Sequence, residues 1–198
     1  MKKKLLINKK KMFFIVSYAV YLGIIASFLN IPEAQSAHYS GGFATGRLTY
    51  GVGSGSGAIA DIAAVQWGNV TSKAKLTRSN ATSNGRLTAN VITHFNSTAP
   101  PTSGALGVMY PYKTWNGTSG SSANSNDRWV KAIVYQYKSS LLNTDAKRIA
   151  TSTHEFGHAL SVAHPSSSNT TAVMRQGVKT SYTLTSYDKN SLINKWGK

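Results

Sequence analysis

Residues 153–165 read THEFGHALSVAHP and hold three of the five histidines and one of the two glutamates in a chain of 198 residues. On an α-helix, residues four apart are separated by about 40° of rotation and about 6 Å of rise, so His154 and His158 project from one face. His164 comes six residues later, and on a continuing helix it would lie on a different face, about 9 Å further along the axis. Three imidazoles can meet here only if the helix stops after Leu160 and the chain turns back. With Ile149 as the origin of rotation, Thr153, Phe156 and Leu160 fall within about 40° of it, whereas His154 and His158 fall near 140° and 180°. The histidine pair is therefore expected to face away from the apolar stripe.

Three imidazoles and one water make an open, roughly tetrahedral zinc site of the catalytic kind. Glu155, next to the first histidine, is placed to act as a general base towards that water. The bland alternative is a set of exposed helix histidines with no common task. At this chain's own His and Glu frequencies, chance would produce such spacing on the order of once in ten thousand shuffled sequences or less. With no cysteine in the chain, a metal must be held by His, Asp or Glu, and disulfides are excluded.

The N-terminal residues differ from the rest. A cationic MKKKLLINKKK precedes the apolar run of residues 12–29, and NIPEAQSA ends in small residues, so residues 1–37 are expected to be a signal peptide cut after Ser36 or Ala37. An uncleaved signal anchor is the alternative, because a run of that length just spans a bilayer. Both place residues 38–198, read as a single domain, outside the cytoplasm. Removing residues 1–37 leaves 16 cationic and 5 acidic side chains, net +11. Such a field favours anionic cell-wall polymers, membrane surfaces or acidic substrates. No basic and aromatic platform suggests nucleic acid, and a monomer is expected.

Along that domain, GRLTYGV (46–52) reads as a strand. A Gly/Ser turn follows, then a helix on which Ile59, Ile62, Ala63 and Trp67 recur at helical spacing. Further strands are expected at 74–81, 86–95, 104–112 and 128–137, with an exposed, mobile polar loop at 113–127. A helix capped by Asn143, Thr144 or Asp145 leads into the histidine stretch. A last helix has Thr185 and Asp188 at capping-box spacing, Leu192 and Trp196 on one face, and Gly197 as its stop.

HEFGHALSVAH, followed ten residues later by Met174 in AVMRQG, resembles the metzincin metallopeptidases and, within them, the matrixin-like secreted enzymes, whose pattern is H-E-x-x-H-x-x-G-x-x-H and then a methionine-containing turn. The resemblance implies an α/β (α+β) fold: a mostly parallel twisted sheet of about five strands, two or three helices, an active-site helix, a Met-turn and a C-terminal helix. It further implies that His154, His158 and His164 bind one catalytic Zn2+, that Glu155 is the base, and that Met174 floors the site. Leu106, Gly107 and Val108 would belong to an edge strand along which an extended protein or peptide substrate adds. Two positions depart from the pattern. Ser161 replaces the glycine between the second and third histidines, and a non-glycine residue at positive φ costs roughly 1–2 kcal/mol. Gln176 stands where some members carry a tyrosine ligand.

Asp61, Asp127, Asp145 and Asp188 are too few and scattered for a high-affinity calcium site, and none is expected. His38 and His94 are expected to be structural or exposed. The sequons at Asn69, Asn80, Asn96, Asn116 and Asn169 are incidental in a chain so rich in Asn, Ser and Thr. The leading function is a secreted zinc endopeptidase. The alternative, motivated by the net charge and Ser161, is an inactive cationic cell-wall or surface-binding protein on a metzincin scaffold.

Overall fold

The computed structural model describes residues 37–97 and 104–198; the signal-peptide expectation falls, except for Ala37, on residues outside those described. β1 (Gly46–Ser54) runs into the Gly/Ser turn, where the Ser56 side chain accepts a hydrogen bond from Ile59 N and caps α1 (Gly57–Gly68). α1 buries Ile59, Ala60, Ala63, Ala64 and Trp67, while Ile62 is 40% exposed and belongs to the opposite face. Small alanines let the helix lie close to its neighbours, and the buried Trp67 Nε1 donates to Thr153 O at 2.8 Å.

A five-stranded sheet in the order β2-β1-β5-β7-β6 is built from β1, β2 (Ala74–Arg78), β5 (Val91–Ser97), β6 (Gly107–Tyr112) and β7 (Lys131–Tyr137). All neighbours are parallel except β6, which runs antiparallel to β7 from Gly107 opposite Gln136 to Tyr112 opposite Lys131. The expected class, a mixed and mostly parallel five-stranded sheet with helices, is what forms. The strand expected over 86–95 is in fact two pieces. Arg86–Leu87 (β4) pairs with Thr82–Ser83 (β3) across Asn84-Gly85, both at positive φ. That is the turn chemistry of a tight hairpin. Asn90 then takes Thr49 N and Thr49 Oγ1 at 2.9 and 3.0 Å, and the sheet strand begins after it.

α2 (Asp145–Ala159) is capped by Thr144, whose side chain accepts from Lys147 N, and follows a short 3-10 turn at Ser140–Leu142. α3 (Ser186–Trp196) closes the chain. The polar loop 113–127 is largely exposed, as expected, and folds on itself: Asn116 Oδ1 accepts from Thr118 N and Ser119 N, and Trp115 packs edge-on against Tyr112. Among the described residues no helix is long and apolar enough to cross a membrane.

Candidate metal centre

α2 supplies His154, Glu155 and His158 and then stops. Leu160 is its C-cap, Ser161 N donates to His158 O and Val162 N to Gly157 O, both at 2.9 Å, with Ser161 at φ +66°. This pairing is a Schellman turn with serine where glycine is favoured. Ser161 is fully buried and its Oγ meets no partner among the described residues. Space for it comes from Gly42, where a Cβ would stand 2.1 Å from that Oγ. The turn is held from outside as well. Trp196 Nε1 donates to Leu160 O (2.8 Å), Tyr39 N to Ser161 O (2.8 Å) and Ala163 N to Ala37 O (3.0 Å).

The reversal brings the third imidazole to the other two. The Nε2 atoms of His154, His158 and His164 form a triangle with sides of 3.0, 3.0 and 3.1 Å. Tetrahedral ligands about 2.0–2.1 Å from one ion lie about 3.3–3.4 Å from each other, so these nitrogens need only a small outward shift to take a zinc-sized cation. For two of them the outer nitrogen fixes the tautomer: His154 Nδ1–H donates to Val173 O (2.8 Å) and His158 Nδ1–H to Val162 O (3.0 Å), leaving these two Nε2 lone pairs directed at the common centre. Burial holds all three below the usual imidazole range. For His154 the neighbouring His158 adds to the effect, His158 falls to about 3 with help from His164, and Lys179 adds at His164. Three imidazoles converging on one point could hold a cation, and among the described residues they form the group of this kind that could do so.

The face of α2 that carries the histidines, turned away from the apolar stripe by helical rotation, is itself covered. His158 and Glu155 are 7% and 5% exposed. The Tyr39 ring stacks on His158 at 5.9 Å with its hydroxyl 3.1 Å from Nδ1, and β6 packs against the glutamate. A helix enclosed on both sides shows no apolar moment at the enclosed polar face, so the periodicity could not reveal it.

Glu155 shares a cavity of about 440 Å3 with the three histidines, Tyr39 and the stretch Gly104–Met109, which contains Leu106, Gly107 and Val108. Gly107 is where the strand touches the acid: a Cβ there would lie 2.8 Å from Glu155 Oε1. Leu106 precedes β6 and its carbonyl accepts from Tyr137 N (2.9 Å). Desolvation pushes the Glu155 carboxyl up to about 8. A cation held by the histidines would draw it back down.

Met174 is fully buried with its sulfur against Gly157, where a Cβ would meet Sδ at 2.3 Å. It thus packs under the helix between the two histidines. Asp188 is a residue whose part here the sequence concealed. Its Oδ1 accepts from Met174 N (3.1 Å) and its Oδ2 from Val173 N (3.0 Å), Thr185 N (2.8 Å) and Thr185 Oγ1 (2.9 Å). Capping-box spacing announced the bonds to Thr185 but carried no sign of the methionine turn. Tyr39 had no sequence signal. His38 and His94 stand apart from the metal cluster, His38 beside Tyr39 O and His94 stacked on Tyr135 with Ser54 Oγ at 3.1 Å.

No protein-family model matches the chain, and no curated protein matches it. Among solved structures, the chain is similar to the one titled "Structure of myroilysin", with a TM-score of 0.48 and 15% sequence identity, over 82% of this chain and 99% of that one.

Proposed function

We propose that this protein is a secreted zinc-dependent endopeptidase of the matrixin-like metzincin type, exported by the segment 1–37 and active as the single domain 38–198. The observation that carries the reading is the meeting of three Nε2 atoms within 3.1 Å beside a buried carboxyl, in one cavity bordered by β6.

Zinc bound there would supply Lewis acidity to a peptide carbonyl and lower the pKa of a water towards about 7. The remaining work falls to the chain's own groups. Glu155 Oε takes the proton of the attacking water and passes it to the leaving amine as the C–N bond breaks. Desolvation by itself disfavours the ionised form of Glu155, and a cation at the histidines would favour it, giving the carboxylate that accepts the proton. β6 is bonded to β7 on one side and lies at the end of the sheet order; Ala123 N occupies Pro111 O on its other side, so the part that would receive an extended substrate is the first half, Gly107–Met109, beside Glu155. Val173 and Val162 carbonyls hold the imidazoles of His154 and His158 in register.

The test pairs wild type with Glu155→Gln. Both are expected to bind one zinc per chain; wild type cleaves members of a peptide library and is silenced by a chelator, and the variant loses about 1,000-fold or more in kcat. A zinc-loaded, folded wild type that cuts no peptide overturns the reading and leaves the cationic surface-binding alternative.

A further inference from the structure

His164 and Gln176 line a second cavity besides the one at the metal centre. It measures about 540 Å3, and its walls are completed by Pro165, the run Ser166–Ser168 and Arg175. No carboxylate lines it. Arg175 Nη1 donates to Ser168 O at 3.2 Å, which ties the guanidinium to the serine segment. Among the described residues Arg175 is in none of the ion pairs, which join Arg78 to Asp61, Lys113 to Asp127 and Arg148 to Asp145. Its other N–H groups remain available to a ligand. Lys179 Nζ donates to Arg175 O and to Gly177 O, so a second cation is fastened to the same loop. A concave, serine-lined hollow with an unneutralised arginine recognises an anion, and the planar fork of arginine suits a carboxylate best.

We infer that this cavity is a carboxylate subsite: it receives an acidic side chain of the substrate near the bond to be cut, with Arg175 as the specificity-determining residue. Its placement along a bound chain rests on the peptidase reading; its affinity for carboxylates does not. An extended peptide advances about 3.4 Å per residue, so a site bordered by His164 is reached from within two or three residues of the scissile bond.

The test uses C-terminally amidated peptides with Asp or Glu at each of the three positions on either side of the cleavage point, each matched by its Asn or Gln counterpart. At one position the carboxylate is expected to raise kcat/KM about tenfold, mainly through KM. In Arg175→Gln the ratio falls towards one, and in Arg175→Lys, which keeps the charge, part of it survives. The same pairs titrated into zinc-loaded Glu155→Gln protein read the subsite without hydrolysis, with the carboxylate peptide binding about tenfold tighter. Peptides with a free C-terminus distinguish capture of a terminal carboxylate, which would overturn the side-chain assignment. A preference that is equal at every position, or that survives Arg175→Gln, overturns it too, because general attraction to a basic protein then accounts for it. Tight carboxylate binding without any cleavage by wild type would sink the peptidase reading and leave the subsite standing.

Discussion

A methyl group on Gly107 would stand 2.8 Å from Glu155 Oε1 and 2.9 Å from both Glu155 Cγ and Tyr135 O. The backbone oxygen belongs to the β6–β7 pairing and cannot withdraw without breaking the ladder, so the glutamate has to move. Gly107→Ala is therefore expected to keep zinc and fold but to lose about 100-fold in kcat, since a displacement of about 1 Å in a reacting group costs that much. Steady-state kinetics beside a zinc assay checks it, and a variant of wild-type kcat would show that Glu155 has more room than its packing allows. The same scale shows what single residues conceal. His154, Glu155, His158 and His164 were legible because four side chains so rare in this chain seldom fall at helical and turn spacing by chance. Ser161 was legible as a departure from the resembled pattern, and it adopts a positive φ, where glycine is favoured. Gly42, which makes room for it, lies far upstream in the chain and gave no sign.

Among elements, the junction of the methionine turn with α3 decides how firmly the centre is held. Asp188 is fully buried and receives four hydrogen bonds, two of them from the turn whose Val173 carbonyl orients His154. In Asp188→Asn the amide NH2 must face an N–H donor on one side, leaving a buried clash of donors. We expect a loss of about 2–4 kcal/mol of stability and about 10–100-fold weaker zinc binding, measured by thermal unfolding and competition with a chromophoric chelator. Unchanged zinc affinity would show that the turn is held by packing of Met174 alone. The helices were readable because each combines a cap with an apolar run: Thr144 and Thr185 sit at the expected starts, and Ser56 caps the first helix from within the expected Gly/Ser turn. Strand limits were less so. Residues 86–95 alternate like one strand, yet Asn84-Gly85 forms a hairpin and Asn90 bonds Thr49 across to β1, both tertiary choices that period-two patterning does not record.

For the molecule as a whole, the centre stores opposed proton preferences that only a cation reconciles. In the metal-free protein Glu155 titrates near 8 rather than at its ordinary 4.5, so it binds a proton more tightly folded than unfolded. Its contribution to stability is complete below pH 4.5 and is lost as pH rises through 8. The three histidines are shifted downward, so theirs is complete above 6.5 and is lost as pH falls, for His158 towards 3. Between pH 4.5 and 6.5 three groups push stability up with pH and one pulls it down; above 6.5 the glutamate acts alone. Metal-free wild type should thus be most stable near pH 6.5 and lose several degrees of Tm by pH 8, at roughly 2–4 °C per kcal/mol for a chain of this size. Metal-free Glu155→Gln should hold its Tm over the same interval. Zinc bound to the folded state adds stability that grows with its free concentration and removes the alkaline loss, because a dication beside Glu155 favours the ionised carboxyl. Thermal melts of the two proteins from pH 5 to 8.5, with chelator and with zinc, decide the matter: an alkaline loss of the same size in both metal-free proteins would place its origin outside Glu155, and with it would go the picture of a desolvated carboxyl whose ionisation waits on the cation.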